Sequence, residues 1–317
     1  MTRPRPSLAV SALALWLMGV TASAGAQPPV TAPVHVERRS AVLAGGELAR
    51  LAVRWASSVE ESGVSLALGD GPPTVLARGG TAGAVERGER VGLVAYITDD
   101  AQAPFRVRAI RAEGGRQVLG EELRLARPGG RSGDYPLAVV IAPIPSVGFA
   151  VLFEEVQHDD PTAARTYLFR LDLDGRAMGA GSEVAIPWPL AAAVWNGRGF
   201  HLALVYPGGG DGLRLSMVSI TADGRPEQHP DWSSAAGFVS DVHLVARGDR
   251  ITAHYRGGPG GEHWHETDVT QIGSWGGNTR TPTDHGRMAA GETIALDASG
   301  RAQRVAPRAD GLGAAAE

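Results

Sequence analysis

The densest cluster of polar side chains in the sequence is a run of histidines and carboxylates from His263 to Asp268, which reads His-Trp-His-Glu-Thr-Asp. Alternate side chains of a β-strand share a face, so His263 and His265 would lie together, as two imidazole ligands of one metal ion must. The hairpin predicted by the preceding Gly-rich turn would pair His254 with Trp264 and place this third histidine on the opposite face. We therefore predict structural or surface histidines, with a metal site as the alternative.

Acidic residues suggest two further kinds of chemistry, calcium binding and glycoside hydrolysis. Asp172 and Asp174 are spaced like the first ligands of a calcium loop, but no Glu follows at the position that such a loop requires, so we interpret them as residues of a solvated turn. The adjacent pairs Glu154–Glu155 and Asp99–Asp100 are interpreted as turn ends on the surface. Glycoside hydrolysis needs two carboxyl groups, which distant parts of a chain can supply, so the sequence leaves this reaction open.

Signatures of covalent catalysis and of phosphate binding are absent from the sequence. The chain contains no cysteine and no lysine, which excludes disulfides, thiol catalysis, cysteine-ligated metals and Schiff-base chemistry. It also has no Gly-x-Ser-x-Gly elbow, no Ser-x-x-Lys motif and no Gly-rich phosphate loop before a helix. We predict no catalytic residues, no metal ion and no cofactor.

Three tryptophans, Trp188, Trp232 and Trp275, recur at nearly equal intervals in segments rich in Pro and Gly. If these segments connect repeated units, the three indoles gather at one end of the molecule. They would then form a platform on which sugar rings or a peptide could stack. The alternative is that each indole packs between neighbouring units. We predict these three residues as the ligand-binding site.

The elements that would position these residues are repeated pairs of strands. One copy begins with an apolar strand, Trp195 to Val205, and continues through the alternating strand Leu213 to Ile220 to an Asp-Gly-Arg turn at 223–225. The preceding copy ends in the same turn at 174–176. A unit of this length in an all-β pattern cannot bury its own apolar face, so stacked or circular arrays result.

Period-2 alternation predicts about six units, and four strands can be placed in the third of them. Those strands are expected at Leu137–Ile141, Phe149–Val156, Thr166–Leu173 and Glu183–Ile186. The last unit is short, and we expect the N-terminal strand, Val36 to Leu43, to complete it and close the ring. The predicted fold is all-β, a β-propeller of five to six four-stranded blades. The alternative is a β-sandwich domain followed by a second β domain.

The units resemble the blades of secreted bacterial β-propeller repeat proteins, in which an apolar strand follows a Trp-Asn-Gly turn and a later strand ends at Asp-Gly. The match covers Val194 to Val205 and Met217 to Arg225 best, and Ser146 to Arg176 less closely. The resemblance implies a propeller fold. It carries no catalytic residue to transfer. Sialidase Asp-boxes and WD-type signatures are both missing, which leaves the subfamily open.

The two ends of the chain differ in character from its middle. Residues 1–26 are predicted as a signal peptide, because Arg3 and Arg5 precede an apolar run that ends in small residues. A linker, 27–36, the propeller, 37–305, and a disordered tail, 306–317, would follow. We expect a periplasmic or extracellular protein without a membrane span. Its mild net charge of −4 argues against nucleic acid, and a monomer is expected.

The function predicted from these features is an exported, non-enzymatic binding module. One face of its propeller would bind a carbohydrate, a peptide or an envelope protein. The alternative is a secreted polysaccharide hydrolase or lyase whose carboxylates come from separate blades. Carboxylates or histidines that converge at the central channel would favour the enzyme, whereas an aromatic or apolar loop face would favour the binding module.

Overall fold

A computed structural model describes residues 35–56, 61–128, 135–156, 164–186, 189–207, 213–227, 232–236, 238–270 and 281–308. Strands dominate this part of the chain, which contains no α-helix and a single 3-10 turn at Ala44–Gly46. Within these residues no helix has the length and apolar character needed to cross a membrane.

The strands form five four-stranded antiparallel sheets, here called the first to fifth blades. The first blade contains β1 (His35–Val42), β2 (Leu48–Trp55), β3 (Gly63–Leu68) and β4 (Thr74–Arg78). The second contains β5 (Ala82–Arg87), β6 (Gly92–Ile97), β7 (Phe105–Glu113) and β8 (Arg116–Leu125). The third contains β9 (Tyr135–Ile144), β10 (Gly148–Val156), β11 (Ala164–Asp172) and β12 (Ser182–Val184).

The C-terminal part of the chain supplies two more blades and a hairpin. The fourth blade contains β13 (Leu190–Trp195), β14 (Gly199–Pro207), β15 (Leu213–Thr221) and β16 (Trp232–Ala236). The fifth contains β17 (Phe238–Arg247), β18 (Arg250–Gly258), β19 (His263–Asp268) and β20 (Thr283–Arg287). A two-stranded sheet, the closing ribbon, contains β21 (Thr293–Leu296) and β22 (Ala302–Val305).

The first strands of the blades stand side by side around a central channel. Contacts run from β1 to β5, β9, β13 and β17, and then through β21 back to β1, so the ribbon closes the ring. Apolar layers fill the spaces between neighbouring blades, because alternate residues of each strand face the sheet on either side. The layer between the second and third blades is the most aromatic, and Phe105 stacks on Phe153 at 4.4 Å between ring centroids.

Three similar turns, each between two strands of one unit, pack against the preceding unit, and we call each a turn latch. Their glycines, Gly175, Gly224 and Gly300, have φ of +79°, +85° and +73°, a conformation that suits glycine. Each glycine also lies against the preceding blade: a Cβ on Gly224 would come 2.4 Å from Val184, and one on Gly300 would come 2.6 Å from Val245. The glycines therefore serve both the turn and the contact between units.

An arginine of the preceding blade completes each turn latch by donating to a backbone carbonyl of the turn. Arg111 of the second blade donates to Asp174 O at 2.9 Å, and Arg170 of the third blade donates to Ala222 O. Arg247 of the fifth blade approaches Ser299 O at 3.5 Å. The same device thus joins the second blade to the third, the third to the fourth, and the fifth to the ribbon.

The propeller prediction is confirmed, with five four-stranded blades, and the third blade has its four strands where the sequence placed them. The prediction for ring closure was wrong. β1 pairs with β2 along its whole length, from His35 opposite Trp55 to Val42 opposite Leu48, and does not extend the ribbon. It packs beside β21 instead, where Ser40 Oγ lies 2.8 Å from Thr293 Oγ1. Side-chain packing therefore closes the ring where a shared sheet was expected.

Candidate functional site in the central channel

The central channel contains a cavity of about 540 Å³. The inner strands of the second to fifth blades and the ribbon line it, and the first blade contributes one residue, Arg39. Its walls are mostly small aliphatic residues, among them Ala84, Val140 and the run Ala191–Val194. The turns that follow the inner strands form its rim, including Gly88 and the ribbon turn at 297–300. This volume lies in the range of pockets that hold small molecules.

Asp241 and His243 form a buried pair in β17 beside this cavity. The pairing of β17 with β18 shifts between Ser240 and His243, so Asp241 lies in a β-bulge, and its φ of +48° is unusual for a residue other than glycine. Its Oδ1 lies 3.0 Å from His243 Nε2, and its Oδ2 accepts a hydrogen bond of 2.5 Å from Ile294 N. The bulge thus turns this carboxylate toward both an imidazole and the ribbon.

The charge of Asp241 also determines the protonation of its neighbour. Burial by itself would lower the pKa of His243, but the Asp241 carboxylate and, more weakly, Glu86 raise it above its usual value. The imidazole therefore carries more positive charge near neutral pH than a free histidine would. His243 lines the cavity, so this charge lies next to any ligand held there.

Arg39 extends from the first blade across the channel. Its Nε donates to Glu37 Oε1 at 2.9 Å, and its Nη1 donates to the carbonyl oxygen of Ala191 in the fourth blade at 3.0 Å. These contacts engage both sides of the guanidinium and connect opposite parts of the ring. Arg39 therefore has a structural role, while its charge contributes to the potential inside the cavity.

Glu86, near the end of β5, is one of three acidic residues that line the cavity; the other two, Glu89 and Asp297, lie in the turns of the rim. Burial raises the pKa of Glu86 to about 7, although His243 and Arg39 act to lower it. The carboxyl group receives a hydrogen bond from Arg87 N and, among the residues that the structure describes, none from a side chain. At neutral pH this group exists in both protonation states, so it can donate or accept a hydrogen bond with a ligand.

A second carboxylate lies at the rim, where Asp297 begins the ribbon turn. Its Oδ1 accepts hydrogen bonds from Ser299 Oγ at 2.7 Å and from Arg301 N at 3.0 Å. The Ser299 hydroxyl, followed by Arg301 N, holds the pKa of the Asp297 carboxyl below its usual value. Two of the three carboxyl groups in the lining, Glu86 and Asp297, therefore come from different units and have pKa values shifted in opposite directions.

The predicted tryptophan site falls mostly outside the described residues. Trp188 and Trp275 are not among them, and Trp232 is described only by its backbone. The structure places Trp232 at the start of β16, opposite Met217, and so in the outer strand of the fourth blade where the sequence analysis expected a connection between units. The platform of three indoles stays a prediction.

The histidine segment forms β19 of the fifth blade, away from the central cavity. The predicted pairing of His254 with Trp264 was wrong, because His254 lies opposite Glu266. The shift is two residues, so His254 still lies on the face opposite His263 and His265, as expected. His263 Nδ1 lies 2.8 Å from Asp284 Oδ2. In the part of the chain that the structure describes, no three potential ligands are grouped to hold a metal ion.

The interpretation of Glu154 and Glu155 as surface turn ends was wrong. Both residues lie in β10 and are fully buried, because the third blade is covered on both of its faces. Glu155 pairs with Arg127 at 2.7 Å, and Glu154 Oε2 accepts a hydrogen bond from Leu190 N of the fourth blade. Asp100 does lie in a turn, as expected, and accepts from Gln102 N.

The turn interpretation of Asp172 is also confirmed, since its Oδ1 accepts hydrogen bonds from Asp174 N and Arg176 N. Sequence reasoning missed Arg39, Glu86, Asp241 and His243, which belong to three different blades. It also missed the ribbon copy of the latch, Asp-Ala-Ser-Gly-Arg at 297–301, whose Gly-Arg ending matches the two copies that were recognised.

No protein-family model matches the chain, and no curated protein has significant sequence similarity to it. Solved structures with similar architecture include a six-bladed fucose-specific lectin from the fungus Aleuria aurantia, at 13% identity and a TM-score of 0.42, covering 86% of this chain and 90% of the lectin. An α-L-arabinofuranosidase from Clostridium thermocellum has 9% identity and a TM-score of 0.42, with coverage of 86% and 94%. An α-L-arabinanase from Penicillium chrysogenum has 11% identity and a TM-score of 0.35, with coverage of 75% and 94%.

Proposed function

We propose that the protein binds a carbohydrate in the central cavity and that Glu86 is the main polar contact with it. The observation that carries the proposal is Glu86, a half-buried residue whose carboxyl group has a raised pKa, in the lining of a cavity of about 540 Å³. A sugar presents hydroxyl groups around apolar C–H surfaces. Glu86 and His243 match the hydroxyl groups, and the aliphatic walls match the C–H surfaces.

The state of the other charged groups explains why binding is proposed ahead of catalysis. Arg39 is engaged by Glu37 and Ala191, and Asp241 by His243 and Ile294, so these groups have less capacity left for a ligand. Glu86 has no such side-chain partner within the described residues. The other two carboxylates of the lining are engaged: Asp297 accepts hydrogen bonds from Ser299 and Arg301, and Glu89 accepts one from Ser146 N. One available carboxyl group is enough to anchor a sugar, whereas glycoside hydrolysis needs two that can act on the substrate.

The test uses a glycan array followed by titration calorimetry. The purified protein is expected to bind a saccharide, and Glu86→Gln is expected to weaken this binding at least tenfold, about 1.4 kcal/mol. Glu113→Gln, on an exposed position of the same blade, is the matched control and should bind as the wild type does. Equal binding by the wild type and Glu86→Gln would overturn the proposal.

The opposed pKa shifts of Glu86 and Asp297 favour a second candidate function, glycoside hydrolysis. Glu86 would be the protonated general acid, and Asp297 would be the ionised base or nucleophile. Activity should then fall as the pH rises through about 7, where Glu86 loses its proton. The test measures the release of reducing sugar from polysaccharides. If none is released by the wild type, while the saccharide still binds, the binding function stands and this candidate is rejected.

The tryptophans are part of a separate proposal, that Trp188, Trp232 and Trp275 add a stacking surface for the same ligand. Iodide should quench the fluorescence of these indoles in the folded protein, and bound saccharide should protect them. Indoles that iodide cannot reach would contradict this role.

Export of the protein is the remaining part of the proposal. Cleavage after Ala26 would release a monomer into the periplasm or the medium, where it would meet saccharides or envelope proteins. Mass spectrometry of the mature N-terminus tests this, and a cell-associated protein that retains residues 1–26 would contradict it.

A further inference from the structure

A second, smaller pocket lies between the first blade, the ribbon and the segment 306–308. Arg38, Arg50 and Arg308 line it, and Arg39 forms part of its wall. Three hydroxyl groups, from Ser40, Ser65 and Thr293, are also in its lining. The lining includes no Asp or Glu among the described residues. All its charged groups are therefore cations, and two of its three hydroxyl groups, Ser40 and Thr293, hydrogen-bond to each other at 2.8 Å.

The pocket occupies the place that a full sixth blade would fill. The first blade buries apolar residues such as Leu51, Val53 and Leu66 on the face that it turns toward the second blade. Arg38 in β1 and Arg50 in β2 alternate with the residues of that face, so they lie on the opposite face of the sheet. Because the ribbon has only two strands, few apolar side chains cover this face. The segment 306–308 lies across it.

The guanidinium groups of Arg38 and Arg50 have few partners in the described part of the protein, whereas Arg308 is more fully engaged, since it also donates to Asp70 O at 2.6 Å. The Nε atoms of Arg38 and Arg50 are buried there without a hydrogen-bond partner. Arg50 Nη1 donates to Gly69 O at 3.0 Å, and Arg308 donates to the same oxygen at 2.9 Å. Among the described residues, the only carboxylate within 4.0 Å of these three guanidinium groups is Asp70, which is exposed and lies 3.9 Å from Arg308.

Clustered cations with buried, unpartnered N–H groups are unfavourable unless an anion neutralises them. Guanidinium groups match the oxygens of phosphate, sulfate and carboxylate, which accept pairs of parallel hydrogen bonds. The enclosed space is about 20 Å³, enough for about one water-sized group, so a single terminal oxygen of such an anion fits into it. We propose that this pocket is an oxyanion-binding site, separate from the central cavity, whose ligand is a phosphate, sulfate or carboxylate group.

The experiment titrates the full-length protein with sodium phosphate, sodium sulfate and sodium acetate at one ionic strength, which is held constant with sodium chloride. Calorimetry should show one saturable site for at least one of these anions. Arg38→Gln and Arg50→Gln should each weaken it at least tenfold. Arg116→Gln, on an exposed position of the second blade, is the matched control and should not change it. The anion that binds tightest identifies the chemical source of the ligand.

Thermal unfolding is the second measurement. It distinguishes a binding role of the arginines from a purely structural one, because only a binding role makes the effect of a substitution depend on added oxyanion. Without added oxyanion, Arg38→Gln should unfold at a temperature equal to or above that of the wild type, because it removes an uncompensated cation. At saturating oxyanion the order should reverse. Arg308→Gln, in the terminal segment, provides a variant whose folding does not depend on the core of the first blade. Absence of saturable binding, or binding that all three variants retain, would overturn the proposal.

Discussion

Glu154 lies in the interior of the third blade with one carboxyl oxygen bonded to Leu190 N at 2.9 Å and the other without a partner in the described structure. Burial raises its pKa to about 8, from about 4.5 in an unfolded chain. The folded protein therefore binds the proton of Glu154 more tightly than the unfolded chain does. This group contributes its full stability below about pH 4.5, and the contribution declines until the pH has passed about 8.

We expect Glu154→Gln to remove this dependence on pH, because the amide keeps an acceptor for Leu190 N and has no charge to bury. The free energy of unfolding of the wild type, measured with urea, should fall relative to the variant as the pH rises from 5 to 8. Glu121→Gln, on an exposed position of the second blade, should follow the wild type at every pH. A constant difference between wild type and Glu154→Gln would show that Glu154 is ionised at neutral pH.

The residue types in the sequence indicated the location of the candidate site only to a limited extent. His263 and His265 formed the most conspicuous cluster in the sequence, yet they lie on the fifth blade away from the cavity. Glu86 and His243 carry no local signal, since ordinary alternating strands surround both, and the channel brings them together from residues far apart in the chain. A site built by ring closure cannot be read from the spacing of its residues.

The turn latches show what the Asp-Gly-Arg repeats do at the level of the element. Their sequence predicts turns, and their hydrogen bonds confirm this. The structure adds that each glycine packs against the preceding blade and that an arginine of that blade bonds to the turn. The repeated motif forms the turn and also makes the contact between blades. The contact could not be predicted from the motif, because its packing partners lie in other blades.

We expect Gly224→Ala to destabilise the protein by about 1–3 kcal/mol more than Gly248→Ala does. Both glycines have positive φ, so both substitutions carry the same kind of backbone cost, about 1–2 kcal/mol. A Cβ at Gly224 would also come 2.4 Å from Val184 of the third blade, whereas a Cβ at Gly248 would meet no atom within 4 Å. Urea unfolding measures the difference. Equal losses would mean that the latch does not join the blades.

At the level of the whole molecule, the repeat length predicted the propeller, and alternation placed most strands to within a few residues. Ring closure was predicted incorrectly because the apolar pattern of β1 fits either neighbour. Its pairing with β2 depends on the short turn between them, at 43–47, which favours a local hairpin over a contact between the two ends of the chain. Because only the two-stranded ribbon stands between the fifth and the first blade, the outer part of the space that a sixth blade would fill stays open. The arginine pocket lies in this space.

The packing of β1 against β21 predicts that two cysteines can join the ends of the ring. In the double variant with Ser40→Cys and Thr293→Cys, the sulfurs would replace hydroxyl oxygens that lie 2.8 Å apart, in a chain that has no other cysteine. A disulfide should form in air and stabilise the protein by about 2–4 kcal/mol. Thermal unfolding with and without reductant measures this gain. Two thiols that stay free would contradict the observed closure.

The central claim is that a carbohydrate binds in the channel at Glu86, and a crystal structure of the protein with the tightest ligand from the glycan array tests it most directly. We predict saccharide density inside the central cavity, with a hydroxyl group within hydrogen-bonding distance of the Glu86 carboxyl group and a C–H face against Ala191–Val194. Density confined to the outer surface or to the neighbourhood of Trp188, Trp232 and Trp275, with an empty channel, would contradict the claim.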